Sequence, residues 1–358
     1  MEQPFRPPVI LREGDYKISD LDRFQTSEKI WEVKDMYRAQ LAELFEIQNP
    51  SLVRNPDFSQ KQQVFVEERC YQEEKNKGNW IYFPWSGILI HSVSELEYKQ
   101  LRTNRNQNLI TKEEQGKLAD FTVAIVGLSV GSNIALNLAY SGIGKTLKLS
   151  DLDTLETTNL NRVRARIDQV SEKKIEISAK QIYEIDPYIK LQLYPEGLSE
   201  TNMEDFVTGL QKPSLIFEII DDFKMKIRLR LKAREKGIPL IMLTNLGDSI
   251  LVDIERYDLD QNMLIFNGLI GDIGEEILTK EISKEDEKRY AVEIVDKENV
   301  PPRALTSLTE IGKTLIGRPQ LISTVSVSGG FATYLARQIA LGEPLASGRK
   351  SLRLSDVM

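Results

Sequence analysis

Residues 121–162 read FTVAIVGLSVGSNIALNLAYSGIGKTLKLSDLDTLETTNLNR, and the fold is decided here. The apolar run 122–126 is a buried strand that stops at Gly127, and the pattern predicts a helix over 131–141. A second strand over 146–150 ends at Asp151. Strand, glycine turn, helix and strand open a βαβ unit. In Gly127-Leu-Ser129-Val-Gly131-Ser the two glycines permit a tight turn and close approach to a phosphate. The helix start behind them offers free N–H groups and a positive dipole end. Asp151 stands 24 residues after Gly127, where an acid accepts from a ribose hydroxyl. Ser129 occupies the place of the middle glycine in G-x-G-x-x-G. The loop therefore indicates a nucleotide without separating NAD from ATP.

Downstream the alternation continues. A helix is predicted over 171–185, a strand over 190–194, a strand over 215–220, a helix over 223–236 and a strand over 239–243. Residues 250–257 extend the sheet. This is the pattern of an α/β, Rossmann-like, doubly wound and mainly parallel sheet, with right-handed crossovers placing helices on both faces. The run Lys224, Lys226, Arg228, Arg230, Lys232 and Arg234 is expected on the solvated face of its helix. The charged run 280–289 reads as an exposed connection.

Upstream, Ser27 precedes a helical periodicity through Ile30, Trp31, Val33, Tyr37, Leu41, Leu44 and Phe45, which ends at Asn49-Pro50. A second helix is expected over 59–75, and then a hairpin from strands 80–83 and 88–91. Residues 1–110 thus form an extra N-terminal, mostly helical module with one hairpin. Residues 111–358 form the nucleotide-binding domain, with the boundary in the polar stretch 103–116.

The chain has 358 residues and a net charge of −7, which argues against broad electrostatic binding to nucleic acid or an anionic membrane. One cysteine, Cys70, and one histidine, His91, exclude a disulfide framework and a Cys-rich zinc site. They also argue against Ser-His or Cys-His nucleophilic machinery, because His91 would have to serve every proton transfer. Cys70 is expected as a small buried hydrophobe and His91 as a hydrogen-bonded structural histidine. Residues 1–12 lack the apolar core of a signal peptide, and no apolar run approaches the ~20 residues that span a bilayer. A cytoplasmic protein is the expectation.

The segment after the second strand, Asp151-Leu-Asp153-Thr-Leu-Glu-Thr-Thr-Asn159-Leu-Asn161-Arg162, gathers acids, amides and an arginine where a parallel sheet converges on its ligand crevice. It resembles the D-x-D-x-[VIL]-x-x-[ST]-N-L-x-R pattern of the ThiF/MoeB family, bacterial relatives of ubiquitin-activating enzymes. Lys174, twelve residues before Asp186-Pro187, matches the family's phosphate-contacting lysine. Asp221 matches the aspartate that holds magnesium. Arg102-Thr-Asn-Arg105 resembles R-Y-N-R, whose last arginine reaches the partner subunit's ATP site in a homodimer. The resemblance covers residues 102–260, and more loosely 317–342.

The resemblance implies an ATP- and Mg²⁺-dependent adenylyltransferase that activates a carboxylate as an acyl-adenylate. Arg162, Lys174, Asp221 and Arg105 would be catalytic. Gly127, Ser129, Gly131, Asp151, Asp153, Asn159, Arg162 and Lys174 would bind ATP, and Asp221 the metal. The implied substrates are the C-terminus of a small ubiquitin-like or sulfur-carrier protein, a peptide, or a modified nucleoside. A tRNA substrate disagrees with the acidic charge without being excluded by it. Departures are Val163 in place of a usual Gln, a glycine loop one residue short, and Asp222 in place of Asn. Residues 245–358 also lack a cysteine for a thioester. Each residue has a plainer reading: Asp221 as a helix cap, Lys174 as surface charge, Arg105 as a partner of Glu113 or Glu114. Two other functions stand beside the main one, an NAD(P)-dependent oxidoreductase and an inactive structural half of a heterodimer.

Overall fold

The computed structural model describes residues 5–71, 74–271, 274–279, 283–295, 298 and 300–357. These fall into two compact units, residues 1–112 with 183–188, and residues 113–182 with 189–358.

The first unit contains β1 (Val9–Leu11), α1 (Ile18–Ser27), β2 (Glu32–Asp35), α2 (Tyr37–Gln48), α3 (Phe58–Cys70), β3 (Asn79–Phe83), β4 (Ile88–Ser92) and α4 (Glu95–Thr103). The expected hairpin is present, with Ile81 opposite Ile90. It is the centre of a four-stranded sheet ordered β1-β3-β4-β2; helices still hold most of the unit's regular structure, as expected, and β1 and β2 are strands added to the hairpin. The predicted helix after Ser27 fails at its start. Ser27 ends α1, and residues 32–35 pair in parallel with β4. That strand is exposed along its whole length, so it has no buried face to print an alternating pattern in the sequence.

His91 is fully buried, stacked on Trp80 at 4.3 Å and Tyr37 at 4.7 Å between ring centroids. Its Nδ1 is 3.1 Å from Asp35 and its Nε2 2.8 Å from the Lys77 carbonyl, the structural role expected of it. Cys70 is buried and free.

The second unit begins in α5 (Lys112–Asp120) and continues through β5 (Thr122–Val126), α6 (Gly131–Tyr140), β6 (Thr146–Ser150), α7 (Lys174–Ile185), β7 (Lys190–Tyr194), α8 (Met203–Thr208), β8 (Leu215–Glu218), α9 (Phe223–Glu235), β9 (Leu240–Leu246) and β10 (Ser249–Glu255). Then come α10 (Gly274–Thr279), α11 (Lys284–Val295), α12 (Pro302–Glu310), α13 (Ile322–Leu341) and β11 (Gly348–Arg353). Part of the charged run 280–289 lies outside the described residues.

The sheet order is β11-β10-β9-β8-β5-β6-β7, parallel from β9 to β7 with β10 and β11 antiparallel at one side. The expected doubly wound, mainly parallel sheet is therefore observed. Strands β5, β6 and β8 are buried at every residue, as strands covered on both faces must be. From β5 the chain winds outward through β6 and β7, then returns to place β8 on the opposite side of β5. This reversal opens a crevice beyond the carboxyl ends of β5 and β8, where ligands bind in such sheets.

Candidate functional site

Gly127 leaves β5 with its N–H donating to the Ser150 carbonyl at 2.8 Å. Its φ is +90°, and a Cβ there would stand 2.4 Å from the Ile219 carbonyl oxygen. Glycine is therefore demanded twice, by conformation and by the close approach of the chain leaving β8. Gly131 serves packing instead: a Cβ would lie 2.9 Å from Ile125 Cγ2, so its absence lets α6 settle on β5. Between them the Ser129 hydroxyl is buried and has no partner among the described residues. A buried hydroxyl left unpaired costs about 1–3 kcal/mol, which a ligand could recover.

Asp151 is buried and holds this loop in shape. Its two oxygens accept from Leu128 N–H at 2.5 Å and Asp153 N–H at 2.8 Å. Burial raises its carboxyl above the usual range, opposed by those two amides and by nearby Lys174. Each oxygen keeps a second lone pair, so accepting from a ribose hydroxyl stays open. Asn159 is buried too, and it orders its neighbours. Its Oδ1 accepts from Glu156 N–H at 3.1 Å, while its carbonyl receives Arg162 and Val163 N–H at 3.0 and 2.9 Å.

Arg162 is half-buried, and its backbone carbonyl accepts from Asn133 Nδ2 in the first turn of α6 at 3.3 Å. Its Nη1 donates to the Thr158 carbonyl at 3.0 Å and to Asn161 Oδ1 at 2.8 Å. Its Nε is buried without a partner among the described residues. Burial lowers the guanidinium's pKa, with Glu156 opposing. No carboxylate pairs with it among the described residues, so its charge is available to an anion. Lys174 is not surface charge. It is buried at the start of α7, with Nζ 2.9 Å from Asp153 Oδ2 and its N–H donating to the Asp153 carbonyl at 3.0 Å.

The plainer reading of Asp221 as a helix cap belongs to its neighbour. Asp222 Oδ1 accepts from Met225 N–H at 2.8 Å and caps α9. Asp221 is left exposed and pairs with Arg318, a residue that sequence reasoning did not single out. The chain between β8 and Asp221 is held by Glu218, whose Oε1 accepts from Ile220 N–H at 2.9 Å.

Glu218 is fully buried, and so is Arg230, expected on a solvated face; their contact is 2.7 Å. Lys226 also pairs with Glu218 at 2.7 Å. Arg230 Nε sits 2.9 Å from Glu255 of β10, a Coulombic contact without hydrogen-bond alignment. Two of the six basic residues of the stripe, Lys226 and Arg230, therefore belong to an ion network centred on the buried Glu218.

Arg105 lies in the first unit, exposed on the short turn Asn104–Asn106. Arg102, from the same motif, pairs with Asp186 at 2.8 Å and is structural. Glu113 pairs with Lys117 at 3.1 Å. Among the described residues no cluster of three or more His, Cys, Asp or Glu could hold a metal alone. Asp221 is nevertheless a suitable hard oxygen donor. Mg²⁺ commonly binds one or two carboxylates and completes its shell with phosphate and water.

A glycine turn, two cations and a set of carboxylates thus gather at the switch point of a doubly wound, Rossmann-like sheet. Residues 102–247 match the ThiF family, the family that the 151–162 segment resembles. An uncharacterized protein of Mycobacterium tuberculosis is 34% identical over 348 residues, covering 97% of this chain and 45% of that protein. The tRNA threonylcarbamoyladenosine dehydratase of Bacillus subtilis is 31% identical over 159 residues, 44% of this chain and 60% of the dehydratase. This chain thus spans less than two thirds of either relative. The crystal structure of PaaA shares the fold, with a TM-score of 0.51 and 23% identity over 73% of this chain and 78% of that one. No helix among the described residues is long and apolar enough to cross a membrane.

Proposed function

We propose that this chain is an ATP- and Mg²⁺-dependent adenylyltransferase that activates a carboxylate as an acyl-adenylate. One observation carries the reading. The glycine loop with its orphaned Ser129 hydroxyl, the carboxylate-free Arg162 and the buried Lys174 stand beyond β5 and β6, and Asp221 follows β8. In the reaction a carboxylate oxygen attacks the α-phosphorus, the α–β P–O bond breaks, and pyrophosphate leaves with the electron pair. The attacking carboxylate is already ionised at neutral pH, so no general base is required. A chain whose one histidine is buried between two rings loses nothing by it.

The loop amides and the start of α6 cradle phosphate oxygens. Arg162 and Lys174 oppose the charge that builds on the leaving phosphates. Lys174 must share its ammonium between Asp153 and the nucleotide. Asp151 fixes the loop and accepts from the ribose. Asp221 would hold Mg²⁺, which supplies further charge neutralisation on the phosphates. In a homodimer Arg105 would complete the partner's site.

Residues 111–358 are the adenylating domain in this reading, and residues 1–110 an accessory module that docks substrate or extends the dimer. The carboxylate belongs to a ubiquitin-like or sulfur-carrier C-terminus, a peptide, or a modified nucleoside on tRNA. The Bacillus relative's name gives the last its support, and the acidic charge weighs against it. An ATP-consuming reaction of this kind fits the cytoplasm. Cys70 lies outside the domain, so the adenylate passes to an external nucleophile.

ATP–pyrophosphate exchange with candidate carriers, peptides and modified nucleosides tests the proposal, run beside Lys174→Ala and Asp221→Ala. Exchange with one candidate, lost in both variants, is expected. Binding of NAD(H) but not of Mg-ATP would replace this reading with the oxidoreductase. Binding of Mg-ATP without exchange under any candidate would favour the inactive structural member.

A further inference from the structure

Asp221 pairs with the Arg318 guanidinium, 97 residues further along the chain, and also feels the charge of Lys226 in the first turn of α9. The segment carrying Arg318 is not a loose tail. Asn161 Nδ2 donates to the Gln320 carbonyl at 2.9 Å, and Asn161 Oδ1 accepts from Arg162 Nη1 at 2.8 Å. One amide side chain therefore ties the phosphate-side arginine of the 151–162 segment to the backbone two residues beyond Arg318. Pro319 disfavours the helical region at Arg318, Leu321 is extended and α13 begins at Ile322, so Arg318 stands on a short non-helical strut that Asn161 tethers. Arg318 thus reaches the carboxylate end of β8 from a strut anchored beside the phosphate side of the site.

The Arg318 side chain is 41% exposed and that of Asp221 84%. An exposed pair of this kind is worth about 0–1 kcal/mol, so it neutralises Asp221 without locking it. A divalent ion carries twice the charge on a compact centre and can displace the guanidinium. A polyphosphate then offers the displaced arginine a planar, bidentate partner, which arginine binds better than lysine does.

Resting on the reading of Asp221 as the metal carboxylate, we infer that Arg318 is a further nucleotide-site residue that exchanges partners. It neutralises Asp221 when no metal is bound, and it moves to the phosphates of the bound nucleotide when the metal takes Asp221.

The test separates the two halves of the exchange in the full chain. Mn²⁺ alone, titrated by electron paramagnetic resonance without nucleotide, reports competition for Asp221, with Asp221→Asn as the control that loses binding. Arg318→Ala should bind Mn²⁺ about two- to five-fold more tightly, the worth of an exposed pair. A fluorescent ATP analogue with Mg²⁺ should bind the same variant at least about tenfold more weakly, the loss of a hydrogen bond to a charged group. Arg318→Lys should restore the weaker Mn²⁺ binding and only part of the nucleotide affinity. A purely structural arginine would move both affinities in the same direction. Weaker Mn²⁺ binding in Arg318→Ala, or unchanged nucleotide affinity, overturns the inference. If wild type binds Mg-ATP and Lys174→Ala abolishes it while Arg318→Ala does nothing, the inference alone fails. If wild type binds no Mg-ATP, the adenylyltransferase reading fails with it.

Discussion

Replacing Arg230 by methionine should cost about 3–5 kcal/mol of stability, the usual penalty for breaking a buried ion pair from one side. The size follows from charge and geometry. Arg230 and Lys226 face Glu218 and Glu255, so the network is neutral, and removing one cation leaves a net negative charge inside. The guanidinium also lies 3.8 Å from the Phe266 ring centroid, a face that methionine keeps covered. Water cannot repair the loss, because Glu218 and Glu255 are both fully buried. Against a total of about 5–15 kcal/mol for a domain, this is a large fraction.

Urea unfolding followed by far-UV circular dichroism measures the loss. Adding Glu255→Gln should recover part of it, because the remaining Lys226–Glu218 pair is then balanced. The glutamine can still accept from Tyr257 Oη and Phe266 N–H, both 2.6 Å from Glu255 Oε1. The pH dependence has a definite sign. Burial pushes the Glu255 carboxyl above the usual range even with Arg230 opposing, and without Arg230 it rises further. An acid with a raised folded value carries no penalty below its unfolded value of about 4.3, and the penalty grows as pH rises towards the folded value. The defect of Arg230→Met should therefore shrink from pH 7 to pH 5.

Glu218 behaves in the opposite way. Burial pushes it up, but Lys226 and Arg230 outweigh burial and hold it below the usual range. Its contribution is present above the unfolded value and is lost as pH falls through the folded one. A loss under about 1 kcal/mol at pH 7, or a second substitution that only adds damage, would refute the reasoning.

Gly127→Ala should lower stability by at least about 2 kcal/mol, since a left-handed alanine alone costs about 1–2 and its methyl would meet the Ile219 carbonyl. Thermal unfolding checks it, and a neutral substitution would mean that the turn relaxes freely. Burial, with Glu74 adding to it, pushes the Cys70 thiol up to about 11. At pH 8 iodoacetamide should therefore alkylate it on the order of 100-fold more slowly than a free thiol, and rapid alkylation of the folded chain would reopen a thioester role.

What the sequence determined by itself is local or short in range. Strand 122–126 is buried on both faces and its apolar run Val123–Val126 is continuous, so its bounds could be read directly; strand 146–150 alternates, with Lys148 buried among its apolar neighbours. The 151–162 motif is legible because its residues act on one another across a dozen positions, Asn159 on Arg162 and Asp151 on Asp153. Lys174 was nameable only through the family resemblance, and its burial against Asp153 was not legible at all.

Tertiary structure decided the rest. Strand β2 exists through its pairing with β4, more than fifty residues away, and its own exposed side chains carry no signal of it. Lys226 and Arg230 have the same helical spacing as their solvated neighbours, and only Glu218 and Glu255 on two different strands draw them inside. Asp221 and Asp222 are indistinguishable as letters. The first turn of α9 takes Asp222 for its free amide, and Asp221 is left to meet a cation from 97 residues away. Periodicity reports which face a residue is on. The partner waiting there is set by chain segments that the fold brings together.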